Sequence, residues 1–146
     1  MDILWSSESK SDYRGKNGYP LSVDKPVEEI DPDDFEVVII PGGWAPDIIR
    51  RNRKAIELVE KMNGQHKTVA AICHGGWVLA SAKILRGRTV TSFSAIKDDM
   101  VHAGAEWVDA EVVVDRNLIT SRKPDDLPAF CRAILDLAKF KTSTST

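Results

Sequence analysis

The stretch Thr68–Ala80, TVAAICHGGWVLA, constrains this chain more than any other. A run of β-formers, Thr68 to Ile72, enters Cys-His-Gly-Gly without a charged residue and then resumes an apolar run. The pattern predicts a buried strand over Thr68–Ile72, a sharp junction, and a helix over Gly75–Ala82. A second junction of this kind lies upstream, where Phe35–Ile40 reads as a buried strand stopped by Pro41-Gly42-Gly43.

The rest of the chain alternates around these two strands. Ile3-Leu4-Trp5 reads as the end of a strand, and Tyr13–Asp24 carries Asn17-Gly18 between short β-like pieces, a hairpin signal. Ala55, Ile56, Val59 and Met62 recur at helical spacing, and Asn63-Gly64 closes that helix, glycine taking the left-handed position after it. Arg88–Ser92 is a candidate third strand and Ala95–Ala103 a polar helix. Glu111–Asp115 and Asn117–Ser121 flank Arg116 as a tight antiparallel pair. A last helix opens at Lys123–Pro128 with Asp126 as N-cap and an apolar face of Leu127, Phe130, Cys131, Ile134 and Ala138. Strands alternating with helices argue an α/β domain with a largely parallel sheet. Residues 1–140 are expected to form that single domain, and the tail, KTSTST over 141–146, is expected to be flexible.

Length and charge narrow the function classes. At 146 residues the chain supports one core, and a net charge of -2 gives no electrostatic footprint for nucleic acid. No apolar run reaches a membrane-spanning length, and MDILWSSESK lacks the basic start and apolar core of a signal segment, so a cytoplasmic, membrane-free protein is expected. The two cysteines, Cys73 and Cys131, belong to no CxxC pair, so neither a metal site nor a disulfide framework is expected.

Cys73 is the residue with a chemical prospect. At the start of a helix it meets the positive end of the helix dipole, which favours a negatively charged, nucleophilic sulfur. The plainer reading, a small buried thiol, is equally open on spacing alone. His74 is a candidate base or orienter, and its N–H, with one from Gly42-Gly43, is a candidate pair of oxyanion donors. Asp47 either caps a short helix or supplies a carboxylate to an imidazole. Arg50, Arg51, Arg53 and Lys54 read as a solvated helix face, His66 and His102 as surface residues, and Cys131 as packing.

Taken together, VVIIPGGWAPD (37–47), VAAICHGGWVL (69–79), TSFSAIKDD (91–99), AGAEWVD (103–109) and EVVVDRNLITSR (111–122) closely resemble the ThiJ/PfpI family. This is the intracellular protease/amidase branch of the class I glutamine amidotransferase-like fold. The resemblance implies a three-layer flavodoxin-like sandwich. It places the family's nucleophile on Cys73, its neighbouring histidine on His74, and its oxyanion donors on the N–H groups of Gly43 and His74. A glutamate from a neighbouring subunit, which helps hold the histidine, falls on Asp47, shorter by one methylene. No cofactor is implied. Self-association into a dimer or larger ring is implied, with the site near a subunit interface.

Family members begin with a strand and helix that have no counterpart here, so the sheet is expected to be N-terminally incomplete. The glutamate of that region, which hydrogen-bonds the cysteine, has no matching residue. The resemblance implies hydrolysis of peptide bonds or removal of 2-oxoaldehyde (glycation) adducts. The alternative is a non-catalytic oxidation sensor or holding chaperone using the same cysteine. Glutamine amidotransfer is disfavoured, because Lys123–Asp126 offers no histidine.

Overall fold

The computed structural model describes residues 2–9 and 11–144. Its N-terminal part holds four short strands. β1 (Ser6–Ser7) pairs in parallel with β4 (Lys25–Pro26), and β2 (Asp12–Arg14) pairs antiparallel with β3 (Pro20–Ser22). The hairpin stands as read, with Gly18 at φ 81 in its turn. The first strand lies later than expected: Ile3 and Trp5 are exposed, and pairing begins only at Ser6.

The central sheet contains β5 (Val37–Ile40), β6 (Thr68–Ile72), β9 (Val112–Asp115) and β10 (Leu118–Ser121), in the order β5-β6-β10-β9. β5, β6 and β10 are parallel, and β9 turns back antiparallel on β10. β6 is buried along its whole length, which explains its uninterrupted run of uncharged residues. Alternation along it feeds two cores. Val69 and Ala71 join Ile40, Val59, Val78, Leu79 and Leu118 on one face, while Ala70 and Ile72 join Ile119, Phe130 and Ile134 on the other.

Among the described residues five α-helices clothe the sheet: α1 (Ala45–Ile49), α2 (Arg53–Gly64), α3 (Gly76–Ser81), α4 (Lys97–His102) and α5 (Leu127–Thr144). Residues of α2, α3 and α4 fill the first core and those of α5 the second, giving a three-layer α/β/α sandwich with a mostly parallel sheet. β5 forms one edge of the sheet, where Ile39 is 48% exposed.

Several local expectations are corrected. Only Thr89–Val90 (β7) of the third strand is extended, and it pairs in parallel with β8 (Glu106–Trp107) outside the central sheet. The reason is its side-chain bonding. The Thr91 amide donates to the Thr120 hydroxyl at 2.9 Å and the Thr89 amide to Asp115 at 2.8 Å, so neither joins the central ladder. Gly64 is not the left-handed residue after α2. His66 is, at φ 58, with its amide on the Asn63 carbonyl and that of Lys67 on Met62. Asp126 does not cap α5, because Arg122 binds its carboxylate through two hydrogen bonds of 2.8 and 3.0 Å.

The apolar face of α5 is Phe130, Ala133, Ile134 and Leu137, whereas Leu127 and Cys131 are exposed. The helix is rotated because Ala70, Ile72 and Ile119 take the 130/134/137 stripe. Cys131 is therefore not packing. α5 runs on through Thr144, so it takes in the first four residues of the stretch 141–146, while Ser145 and Thr146 lie outside the described residues.

One polar knot closes the corner between α2, β7 and the β9–β10 turn. Arg88, only 8% exposed, donates to the Asp115 carbonyl and to the side-chain oxygens of Asn63 and Asn117, each at 2.9 Å. Asn117 in turn donates to Asn63 at 3.0 Å and to the Lys67 carbonyl at 2.8 Å. Burial pushes the Arg88 guanidinium below its ordinary pKa, with the charge of Arg116 acting in the same direction and Asp115 opposing it. Removing this donor leaves buried acceptors unpaired. Arg88→Ala is expected to lower unfolding stability by about 2–4 kcal/mol, read from urea denaturation; a loss below about 0.5 kcal/mol would mean the knot is dispensable.

Candidate functional site

The site forms where β5 and β6 end side by side. Cys73 leaves β6 at φ 60, a left-handed backbone that a residue with a Cβ rarely adopts, and begins a single 3-10 turn, Cys73–Gly75, that leads directly into α3. A strained residue at a strand-to-helix turn presents its side chain above the sheet, as at the nucleophile elbow of α/β-hydrolases.

The glycines on both sides of this turn are required by contact. A Cβ on Gly42 would stand 2.7 Å from the Cys73 Cβ and 3.3 Å from its Sγ. A Cβ on Gly75 would stand 2.8 Å from the Ile40 carbonyl oxygen. The Pro-Gly-Gly loop therefore lies directly against the thiol, and the cysteine turn lies directly against the end of β5.

Cys73 and His74 are brought together. The Cys73 Sγ lies 3.2 Å from His74 Nδ1, within hydrogen-bonding reach, and both residues are half-buried. The imidazole is boxed by two rings. Phe93 stacks on it at 5.0 Å with planes 30° apart, and Trp77 meets it edge-on at 5.1 Å. The Phe93 amide also donates to the Cys73 carbonyl at 3.3 Å. Trp77 is fixed in turn: its indole N–H donates to Asp99 at 2.8 Å, and the Arg50 guanidinium lies 5.5 Å from its ring centroid. Among the described residues, neither the Gly43 nor the His74 amide donates to a protein acceptor.

Asp47 is not brought to His74 within the chain. It sits on α1 with its side chain 54% exposed, 3.8 Å from Arg51. The basic run is largely the solvated face expected, with Arg53 and Lys54 both on Glu57, but Arg50 turns inward to Ser81 and Trp77. His66 and His102 are exposed. Among the described residues no cluster of His, Cys, Asp and Glu could hold a metal ion, and no helix is long and apolar enough to cross a membrane.

Two contributors escaped the sequence reading. Trp77 stands three residues after His74 on the same helical turn, a spacing that puts both on one face. Phe93 follows a strand, and loops after parallel strands are where ligand sites gather.

The fold and site thus define an α/β protein with a cysteine–histidine pair at a strained turn. Comparison with known proteins narrows the class. The profile of the DJ-1/PfpI family matches residues 2–137, and this chain belongs to that family. Deglycase PYRAB04690 of Pyrococcus abyssi is 49% identical over 138 residues, covering 94% of this chain and 83% of that protein. Protein/nucleic acid deglycase 2 of Escherichia coli is 43% identical over 137 residues, covering 92% of this chain and 80% of that one. The crystal structure of a two-domain protein from Anabaena variabilis, with DJ-1/ThiJ/PfpI-like and ferritin-like domains, superposes with a TM-score of 0.90 at 43% identity. It covers 94% of this chain, which spans 40% of that protein.

The junction's tightness has a direct test. A methyl at Gly75 meets a backbone oxygen that cannot rotate away. Gly75→Ala is therefore expected to cost about 1–3 kcal/mol in urea unfolding; an unchanged midpoint would show that the two strand ends are looser than drawn.

Proposed function

We propose that this protein is a cysteine-dependent hydrolase of the deglycase and peptidase kind, acting on peptide bonds or on 2-oxoaldehyde adducts of peptides. The observation that carries this reading is the left-handed Cys73, its sulfur 3.2 Å from an imidazole and packed against the Gly42-Gly43 loop. The names of the two deglycases above agree with it.

In this reading the Cys73 sulfur attacks the carbonyl carbon of a peptide bond. The carbonyl electron pair moves to its oxygen, which accepts hydrogen bonds from the N–H groups of Gly43 and His74. At an adduct the sulfur instead displaces the amine from the carbinol carbon, and a proton shift to the neighbouring carbonyl gives the hydroxyacyl thioester. His74 takes the thiol proton and returns it to the leaving group, and water then releases the acyl group as an acid. All of this is carried by protein groups, and the reading invokes no cofactor.

The test is turnover of a methylglyoxal-treated peptide by the wild type and by Cys73→Ala. Loss of activity in the variant by at least a hundredfold is expected. Equal rates in both would remove the enzyme reading and leave a stress-sensing thiol, which peroxide treatment and mass analysis of Cys73 would then examine.

Asp47 enters this reading from a second copy of the chain. Its own-chain partner is Arg51, and beside it Trp44 and Ile48 are 79% and 44% exposed, an apolar pair suited to self-association close to the site. Such an arrangement predicts complementation. Mixed oligomers of Cys73→Ala and Asp47→Ala chains should regain activity that neither variant shows alone; no recovery after co-refolding would place Asp47 outside the chemistry.

A further inference from the structure

Beside the cysteine–histidine pair lies a cavity of about 270 Å³ at the C-terminal ends of β7, β8 and β10. Phe93 joins the two spaces, since it lines the cavity and stacks on His74. Trp107 also lines it, and its indole N–H already donates to the Ser92 hydroxyl at 2.9 Å, so its polar edge is satisfied. Lys97 stands 5.1 Å from the Trp107 ring centroid, adding positive charge near that ring.

The charged groups at the cavity are unequally occupied. Arg122 binds Asp126 through two nitrogens, at 2.8 and 3.0 Å, and Asp109 through the third at 2.7 Å, so each of its nitrogens already faces a carboxylate. The same guanidinium holds the Asp126 carboxyl below its ordinary pKa. Lys123 is different. Its nearest carboxylate is Asp125 at 4.0 Å, a side chain 84% exposed, and water screens so open a pair. Lys123 is thus the loosely paired cation of a chamber walled by two aromatic rings, one of which touches the imidazole.

We propose that this chamber is a subsite for a carboxylate on the substrate, with the Lys123 ammonium pairing with the carboxylate and Phe93 and Trp107 flanking its apolar stem. In combination with the reading above, the acidic group lies next to the carbon that Cys73 attacks, and substrates bearing one are preferred. The carboxylate is a side chain or a chain end; both offer the same chemistry.

Binding tests this without requiring turnover. The Trp107 indole resonance, assigned with Trp107→Phe, is followed by NMR on the full chain. The probes are N-acetylglutamate α-amide for a side-chain carboxylate, N-acetylalanine for a chain end, and N-acetylglutamine amide as the neutral counterpart. At least one acidic probe is expected to shift the resonance saturably and to bind at least fivefold more tightly than the neutral one. Lys123→Gln, a change at a half-exposed side chain, is expected to abolish that preference. Equal affinities for acidic and neutral probes, or a preference that survives Lys123→Gln, would overturn the subsite. A silent Cys73 would not, so failure of the subsite and failure of the hydrolase reading are separable.

Discussion

The left-handed backbone at Cys73 is the constraint on which the site depends. A non-glycine residue at φ 60 costs of the order of 1–3 kcal/mol and persists only where its surroundings leave no alternative. Here they leave none. β6 is buried between β5 and β10 and cannot slide, Gly42 presses on the cysteine from one side, and Gly75 presses on the Ile40 carbonyl from the other. Gly76 completes the clamp, since a Cβ there would meet the Met100 sulfur at 2.7 Å. The strain at the thiol is therefore offset by the burial of β6 and of the packing around this turn.

That clamp needs a sheet whose strand ends are fixed, and polar bonding supplies part of the fixing. Arg88 ties α2 to the β9–β10 turn, and Asp115 holds the start of β7. The ribbon of β7 and β8 is thereby held close against the central sheet without joining its ladder. This carries Phe93 to the imidazole and Trp107 to the lining of the neighbouring cavity. A desolvated guanidinium far from the cysteine thus fixes the segment that leads to the ring stacked on His74.

Much of this was legible in the sequence, and the reason is locality. A strand buried on both faces must be an uncharged run, and a chain leaving it for a tight turn must use small residues, so Thr68–Ile72 and the two glycine pairs announce themselves. Val37–Ile40 shows as a strand by the same run, but it lies at the sheet edge with Ile39 exposed, not buried as expected. The misses are non-local. Whether Arg88–Ser92 joins the main ladder depends on Thr120 and Asp115, far along the chain. The face of α5 that packs is chosen by Ala70, Ile72 and Ile119, and the same choice leaves Cys131 outside. Asp126 carried the chemistry of a cap, but Arg122 one turn earlier offers a charged partner, which a carboxylate takes in preference to a backbone amide.

The surroundings of His74 bear on the proposed self-association. Its Nδ1 faces the sulfur, its ring is enclosed by Phe93 and Trp77, and among the described residues no carboxylate of the same chain reaches its other nitrogen. An imidazole that is to accept a proton from the thiol and hold the positive charge gains from a carboxylate on its far side. Asp47 is the candidate acid, and in its own chain it lies on the exposed side of α1, loosely paired with Arg51 just beyond the helix. Trp44 and Ile48 flank it, so a second molecule drawn to these apolar side chains would arrive with its own Asp47 near the site. Under the proposed function, packing that encloses the histidine and exposure that leaves α1 apolar belong to one arrangement: the ring is enclosed within the chain, and its charge would be balanced by the Asp47 of a second copy.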